Sequence, residues 1–320
     1  MSEKICVQKI LPRHKHLVDK INQNSGPVRD HLAAAFYTSK IWPAYTEIFV
    51  TFTDKDPSII RTDIASMKTT NGPPDPLQIY FSKNTTIPIP KAIEKIVKER
   101  IEPIVNLKFT FTDLDGVKGQ KNHVRISFDS DGGSWSLVGT DAVGYKGATM
   151  NLGWFDVSTV MHEFGHVMGL IHEHQNPRGD TIKWNDKAVY EWADQTQGWT
   201  HKQTDTNILN KYAINQINGS KFDPLSIMLY FFPANLTTNN EGTSQNLRLS
   251  GDDALWLNKT YPGSPETPSI YYPKVYGMTL QKSIDKSKSM NASSNSKIWI
   301  WIILLIAVLL IIFLIWKFIL

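Results

Sequence analysis

VSTVMHEFGHVMGLIHEHQNP, residues 157–177, decides how the rest of the chain is read. Val157, Val160, Met161, Phe164, Val167 and Met168 recur at the spacing of one apolar helix face, and Ser158 stands where an N-cap is expected. His162 and His166 are four residues apart, so both imidazoles project from one face, one turn apart, at a separation suited to a single metal ion. Glu163 sits beside the first of them, where its carboxylate can reach a water on the metal. Gly169 can adopt the left-handed geometry that ends a helix, and the turn brings His172 back as a third ligand. Three neutral imidazoles leave a position for water, the arrangement of a catalytic rather than a structural Zn²⁺ site.

A lone histidine is usually an ordinary core or surface residue, but five defined positions coincide here: His162, Glu163, His166, Gly169 and His172. With nine histidines in 320 residues, chance produces such a match on the order of once in 10⁵ chains. His174 is a spare imidazole nearby, and the spacing favours His172 over it. His14, His16, His31, His123 and His201 have no ligand partner at helical spacing and read as structural or solvated. The single cysteine, Cys6, excludes an internal disulfide and any Cys-based zinc site. As a thiolate it could in principle cap the metal.

HEFGHVMGLIHEH is similar to the extended zinc motif of the metzincin endopeptidases, and Glu173, following the third histidine, is the residue typical of the astacins. Ser226-Ile227-Met228-Leu229-Tyr230 resembles the astacin Met-turn. The resemblance implies that Met228 forms an apolar floor beneath the zinc. It implies that Tyr230 is the switching tyrosine, which ligates zinc when no substrate is bound and donates its hydroxyl to the transition-state oxyanion. It further implies that Glu173 is the residue that in astacins receives the mature N-terminus. GGSWSLVGTDA (132–142) resembles the family's upper-rim edge strand, which would pair with an extended substrate by β-augmentation, and Asn151-Leu152-Gly153-Trp154 is a further likeness. Leu229 replaces a common histidine of the Met-turn. The implied fold is an α+β, metzincin-type two-lobed zincin with a mixed twisted sheet. Residues 42–262 form the catalytic domain, with an upper lobe at 42–169 and a lower lobe at 170–262.

The flanking sequence fits such a body. Glu47–Asp54, Leu107–Asp113, His123–Asp129, Ser134–Gly139 and Thr149–Trp154 read as strands from alternation and β-branched content. KAIEKIVKERIEPIV reads as an amphipathic helix on Ile93, Ile96, Val97 and Ile101, stopped near Pro103. Residues 55–86, with Asn-Gly-Pro-Pro and Asp-Pro steps, read as a surface excursion. Residues 1–41 read as a polar leader with one helix at Val28–Tyr37. Arg178 and Arg248 fall in the stretch expected to line substrate pockets, where they could attract an acidic side chain; long basic side chains are more often solvated.

Ile298 to Trp316 is a run of 19 apolar residues flanked by Lys297 and Lys317, with Trp299, Trp301 and Trp316 at its ends. At about 1.5 Å per residue it spans a bilayer's hydrocarbon core, so a single C-terminal transmembrane helix is expected. Residues 263–297 form a polar, basic tether. The net charge of +4 divides into +5 on residues 273–320 and −1 on the rest, which argues against a nucleic-acid partner and places basic residues on the cytoplasmic side of the span. The first twenty residues lack a signal-peptide apolar core. A membrane-anchored protein with a cytosolic catalytic domain is therefore expected, and the sequons at Asn84, Asn218, Asn235, Asn258 and Asn291 are discounted.

The expected activity is zinc-dependent endopeptidase hydrolysis of proteins or peptides, with one catalytic Zn²⁺ on His162, His166 and His172, Glu163 as base and Tyr230 as oxyanion donor. The alternative is a catalytically inactive, membrane-tethered binding module that keeps the zinc fold as a scaffold.

Overall fold

A computed structural model describes residues 7–8, 35–67, 72–178, 182–219 and 221–262. The expected leader helix in its N-terminal part, Cys6, the tether and the run Ile298–Trp316 lie outside the described residues. Among those described, no helix is long and apolar enough to cross a membrane.

The strands in chain order are β1 (Val7–Gln8), β2 (Ala35–Tyr37), β3 (Glu47–Phe52), β4 (Ile60–Arg61), β5 (Lys108–Phe111), β6 (His123–Ser127), β7 (Trp135–Ser136), β8 (Met150–Asn151), β9 (Trp154–Phe155) and β10 (Ile217–Gly219). The main sheet has the order β1-β7-β8-β6-β3-β5. It is mixed, as expected: β3 is parallel to both β5 and β6, β6 is parallel to β8, and β7 runs antiparallel to β8. The helices are α1 (Pro76–Lys83), α2 (Ile89–Ile96), α3 (Val157–Val167), α4 (Asp186–Gln197), α5 (His201–Thr204) and α6 (Gly251–Thr260).

The expected amphipathic helix is α2, which buries Ile89, Ala92, Ile93 and Ile96 and continues through a π-turn, Val97–Ile101, that ends before Pro103. It packs on one face of the sheet beside α3, with Phe109 of β5 meeting Phe164 of α3 edge-on at 5.6 Å. That contact fixes the height of the histidine-bearing helix against the sheet.

Two local readings are corrected. Residues 55–86 are more than a surface excursion, because they contain α1, whose Leu77, Gln78 and Phe81 are buried. Asp75 caps this helix through Leu77 N–H at 2.8 Å, and a buried Arg100 guanidinium holds the same carboxylate at 2.8 Å. Proline directly after an Asp cap starts a helix as readily as it breaks one. Ala35–Tyr37, expected at the end of a helix, is a strand paired antiparallel with β10. A partner some 180 residues away overrides the local pattern there.

Two of the three buried apolar clusters among the described residues carry the 226–230 segment. The larger joins the sheet, α1 to α3, and Ile227, Met228, Ala254, Trp256 and Leu257. A smaller one gathers Val189, Ile208, Tyr230, Phe232 and Leu236. The segment 226–230 passes from one to the other, so Met228 and Tyr230 belong to different cores.

Candidate active site

Helix α3 is buried along its whole length. Asp156 rather than Ser158 is its N-cap: the helix begins at Val157, and the Asp156 carboxylate accepts from Thr159 N–H at 2.7 Å, with the Ser158 hydroxyl donating to it at 2.6 Å. A carboxylate at this position also meets the positive end of the helix dipole. Gly169 has φ +95°, and its N–H donates to His166 C=O at 2.9 Å while Leu170 N–H donates to Gly165 C=O at 3.0 Å. This left-handed turn, which strains any side chain, returns the chain to place His172.

His162, His166 and His172 come together with ligand atoms all within 4.8 Å of one another. His162 Nδ1–H donates to Ile227 C=O and His166 Nδ1–H to Leu170 C=O, both at 2.8 Å, which leaves the two Nε2 lone pairs facing inward. His166 Nε2 lies 3.0 Å from His172 Nε2, near the ~3.3 Å separating two ligands of a tetrahedral zinc at 2.0–2.1 Å. Burial keeps the rings neutral: the pKa of His162 is lowered to about 4, and those of His166 and His172 are lowered well below the ordinary value by burial and then by neighbouring imidazoles. Three neutral imidazoles, two of them with the outward nitrogen tied to a carbonyl, fit a zinc ion. Glu163, on the same helix, is fully buried.

Met228 reaches α3 where Gly165 makes room, since a Cβ on Gly165 would stand 2.6 Å from the Met228 sulfur. Its C=O accepts from Glu173 N–H at 3.0 Å, tying the turn to the segment after His172. The Tyr230 ring lies 4.2 Å from His172 and 5.8 Å from His162, centroid to centroid. Glu173 is buried; its Oε1 accepts from Asn176 at 3.0 Å and from Asp223 N–H at 2.9 Å, and burial raises its carboxyl pKa well above the usual range.

The turn's own support was not read from the sequence. Asp253 of α6 accepts from the Ser226 hydroxyl at 2.7 Å, Ile227 N–H at 2.8 Å and Ser250 N–H at 2.9 Å. Asn246 donates to Ser226 C=O at 2.8 Å. The signal for Asp253 was the Ser-x-x-Asp pattern at 250–253, a capping box before an apolar run.

His174 is not among the clustered ligands, because its Nε2 is engaged by Asn207 C=O at 2.9 Å. Arg248 is buried, not solvated, and donates to the carbonyls of Pro73 and Pro74. Arg178 is half-buried, its backbone N–H donating to Asn176 Oδ1 at 3.0 Å. His123 is buried and bonded to Thr51 Oγ1 at 2.7 Å, and His201 stacks on Tyr190 at 4.0 Å, in keeping with structural roles. The expected edge strand is shorter than 134–139, reduced to Trp135–Ser136, and Val7–Gln8 lie parallel along it.

The profile of the Astacin peptidase family matches residues 79–261. Among solved structures, one of myroilysin is 28% identical with a TM-score of 0.55, covering 72% of this chain and 98% of that one. A second structure of myroilysin is 25% identical over 80% of this chain and 99% of that one, with a TM-score of 0.43. High choriolytic enzyme 1, a hatching enzyme zinc-protease from Oryzias latipes (medaka fish), is 13% identical over 72% of this chain and 98% of that one, with a TM-score of 0.42. No curated protein sequence matches the chain. With the family's profile covering more than half of the sequence and three buried imidazoles converging on one point, the chain belongs to the astacin family of zinc-dependent peptidases.

Proposed function

We propose that this protein is an endopeptidase that hydrolyses internal peptide bonds of protein substrates, with Glu163 and Tyr230 as its catalytic side chains and a C-terminal membrane anchor. The observation that carries the reading is the convergence of His162, His166 and His172 beside a buried Glu163 and the Tyr230 ring. Zinc held by the three imidazoles supplies a Lewis acid that polarises a carbonyl and acidifies water. Glu163 takes the proton of the attacking water and passes it to the departing amine. The Tyr230 hydroxyl donates to the carbonyl oxygen as negative charge develops on it. Met228 packs against α3 at Gly165 as an apolar floor, and the carbonyl of Ile227 before it accepts from the ligand His162. Glu173 holds the segment after His172 against Asp223.

Substrate is expected to extend along β7. The pairing of Val7–Gln8 there supports the reading that this edge accepts an extended segment, and a substrate on the same edge must displace them.

Peptide cleavage by the zinc-loaded protein is expected to be lost on chelation and restored by zinc. Because burial lowers the His162 pKa to about 4, its neutral, metal-binding form persists well below the ordinary imidazole range, and protons compete with zinc only as pH falls through about 4. Metal content after dialysis should therefore hold at about pH 5.5 and collapse nearer pH 4. Half-loss of zinc near pH 6.5, the ordinary imidazole value, would contradict the burial argument.

Anchoring rests on the 19-residue apolar run Ile298–Trp316 with its flanking lysines. The full chain should stay with membranes through alkaline carbonate extraction, and a chain lacking residues 298–320 should be soluble. In sealed vesicles with the cytosolic face outward, added protease should digest the body. Recovery of the full chain in the soluble fraction would refute the anchor.

A further inference from the structure

His174 is fully enclosed, yet it is neither a member of the metal cluster nor an ordinary apolar filler. Its Nε2 faces Asn207 C=O at 2.9 Å and so carries the proton. Among the described residues its Nδ1 has no hydrogen-bond partner. Leaving a buried polar atom unpaired is destabilising, and a leucine or phenylalanine would fill the space without that penalty. Such a breach of a local rule is expected where a residue serves the site.

The surroundings say what it serves. The His174 ring lies 4.9 Å from Tyr230 at 31°, 5.4 Å from His172 at 19°, and edge-on to Phe232 at 5.1 Å. Tyr230 therefore has His172 on one side and His174 on another. The bond to Asn207 sets the orientation of the His174 ring, one wall against which the phenol rests. The acceptor belongs to a π-helical turn, Asp205–Leu209, whose end leaves carbonyls unsatisfied. Gln175 serves the same turn, donating to Thr206 C=O at 2.8 Å and Asn210 C=O at 3.0 Å. The pair His174-Gln175 thus ties the segment that follows the third imidazole to a turn of the smaller core.

We propose that His174 is a positioning residue for Tyr230, holding the phenol ring at the distance from His172 from which its hydroxyl serves the reaction. This rests on the reading that the Tyr230 hydroxyl takes part in catalysis. Two substitutions separate the parts of the side chain. His174→Phe keeps a ring but loses the bond to Asn207, and His174→Gln keeps a donor but loses the ring.

The test is a double-mutant cycle on the zinc-loaded full chain, with each substitution made alone and with Tyr230→Phe. Each is expected to lower kcat about tenfold with KM changed less than about twofold, and to change kcat less than about twofold once Tyr230 is already phenylalanine. Zinc content and the thermal midpoint should stay near the parent values. The proposal is overturned if the losses are equal in both backgrounds, if neither substitution lowers kcat, or if both lose zinc or fold. Undiminished kcat in Tyr230→Phe alone would remove the role of the tyrosine itself, a different failure that also ends the proposal.

Discussion

Glu163→Gln is expected to leave a folded protein with one equivalent of zinc that cleaves peptides at least about 10³-fold more slowly. Glutamine has almost the same shape, so neither a cavity nor an overpacked contact is created at this fully buried position. What disappears is basicity, since an amide cannot hold the proton that the water gives up. Glu163 stands outside the cluster of three imidazoles that would hold the zinc, so metal content should not change. His166→Ala gives the contrasting result, losing zinc and activity together, because it removes an Nε2 that stands 3.0 Å from that of His172. The informative pair of measurements is kcat/KM on a quenched peptide and metal content on the same sample. Retained activity in Glu163→Gln would assign the base elsewhere. A parent protein that binds zinc but hydrolyses no peptide would favour the scaffold-only alternative.

The zinc helix and the turn at Gly169 were legible in the sequence because each is a local pattern with a geometric consequence, whereas the Met228–Tyr230 segment was legible only through its likeness to the astacin Met-turn. Spacing puts His162 and His166 on one face, and glycine permits φ +95°. The support of these residues was less legible because it is made by pairs distant in sequence. Asp253 reaches Ile227, Asn246 reaches Ser226, and Gly165 yields space to Met228. None of these pairings leaves a periodic trace. The misread segments have the same origin. Ala35–Tyr37 takes its strand conformation from β10, and Arg248 is drawn inside by the carbonyls of Pro73 and Pro74. The cap of α3 is Asp156, two positions before Ser158: both are good cap residues, and only the start of the helix decides between them.

Asp253→Ala is expected to be the most destabilising single change beneath the site, whereas Asp253→Asn should be nearly tolerated. Alanine strands three buried donors at once, the Ser226 hydroxyl and the N–H groups of Ile227 and Ser250. At about 1–3 kcal/mol for each unsatisfied group, combined less than additively, the loss is about 3–5 kcal/mol, enough to lower the thermal midpoint by about 10 °C. Asparagine can turn its oxygen to both N–H groups, which share Oδ2, and offer its NH₂ to the Ser226 hydroxyl. Its stability relative to the parent aspartate should rise with pH. Burial, and then the charge of Asp223, push the Asp253 pKa up to about 7, above the ~3.9 of an unfolded aspartate. The folded chain binds this proton more tightly, so the contribution is complete below about pH 4 and is lost as pH rises through about 7. An asparagine at this position cannot ionise, and the unfolding curve of that variant should fall less steeply across the same window. Because Ile227 also accepts from His162, the alanine protein should release zinc faster to a chelator. Equal midpoints for the alanine and asparagine proteins at about pH 5 and pH 8 would show that the carboxylate does not hold this turn.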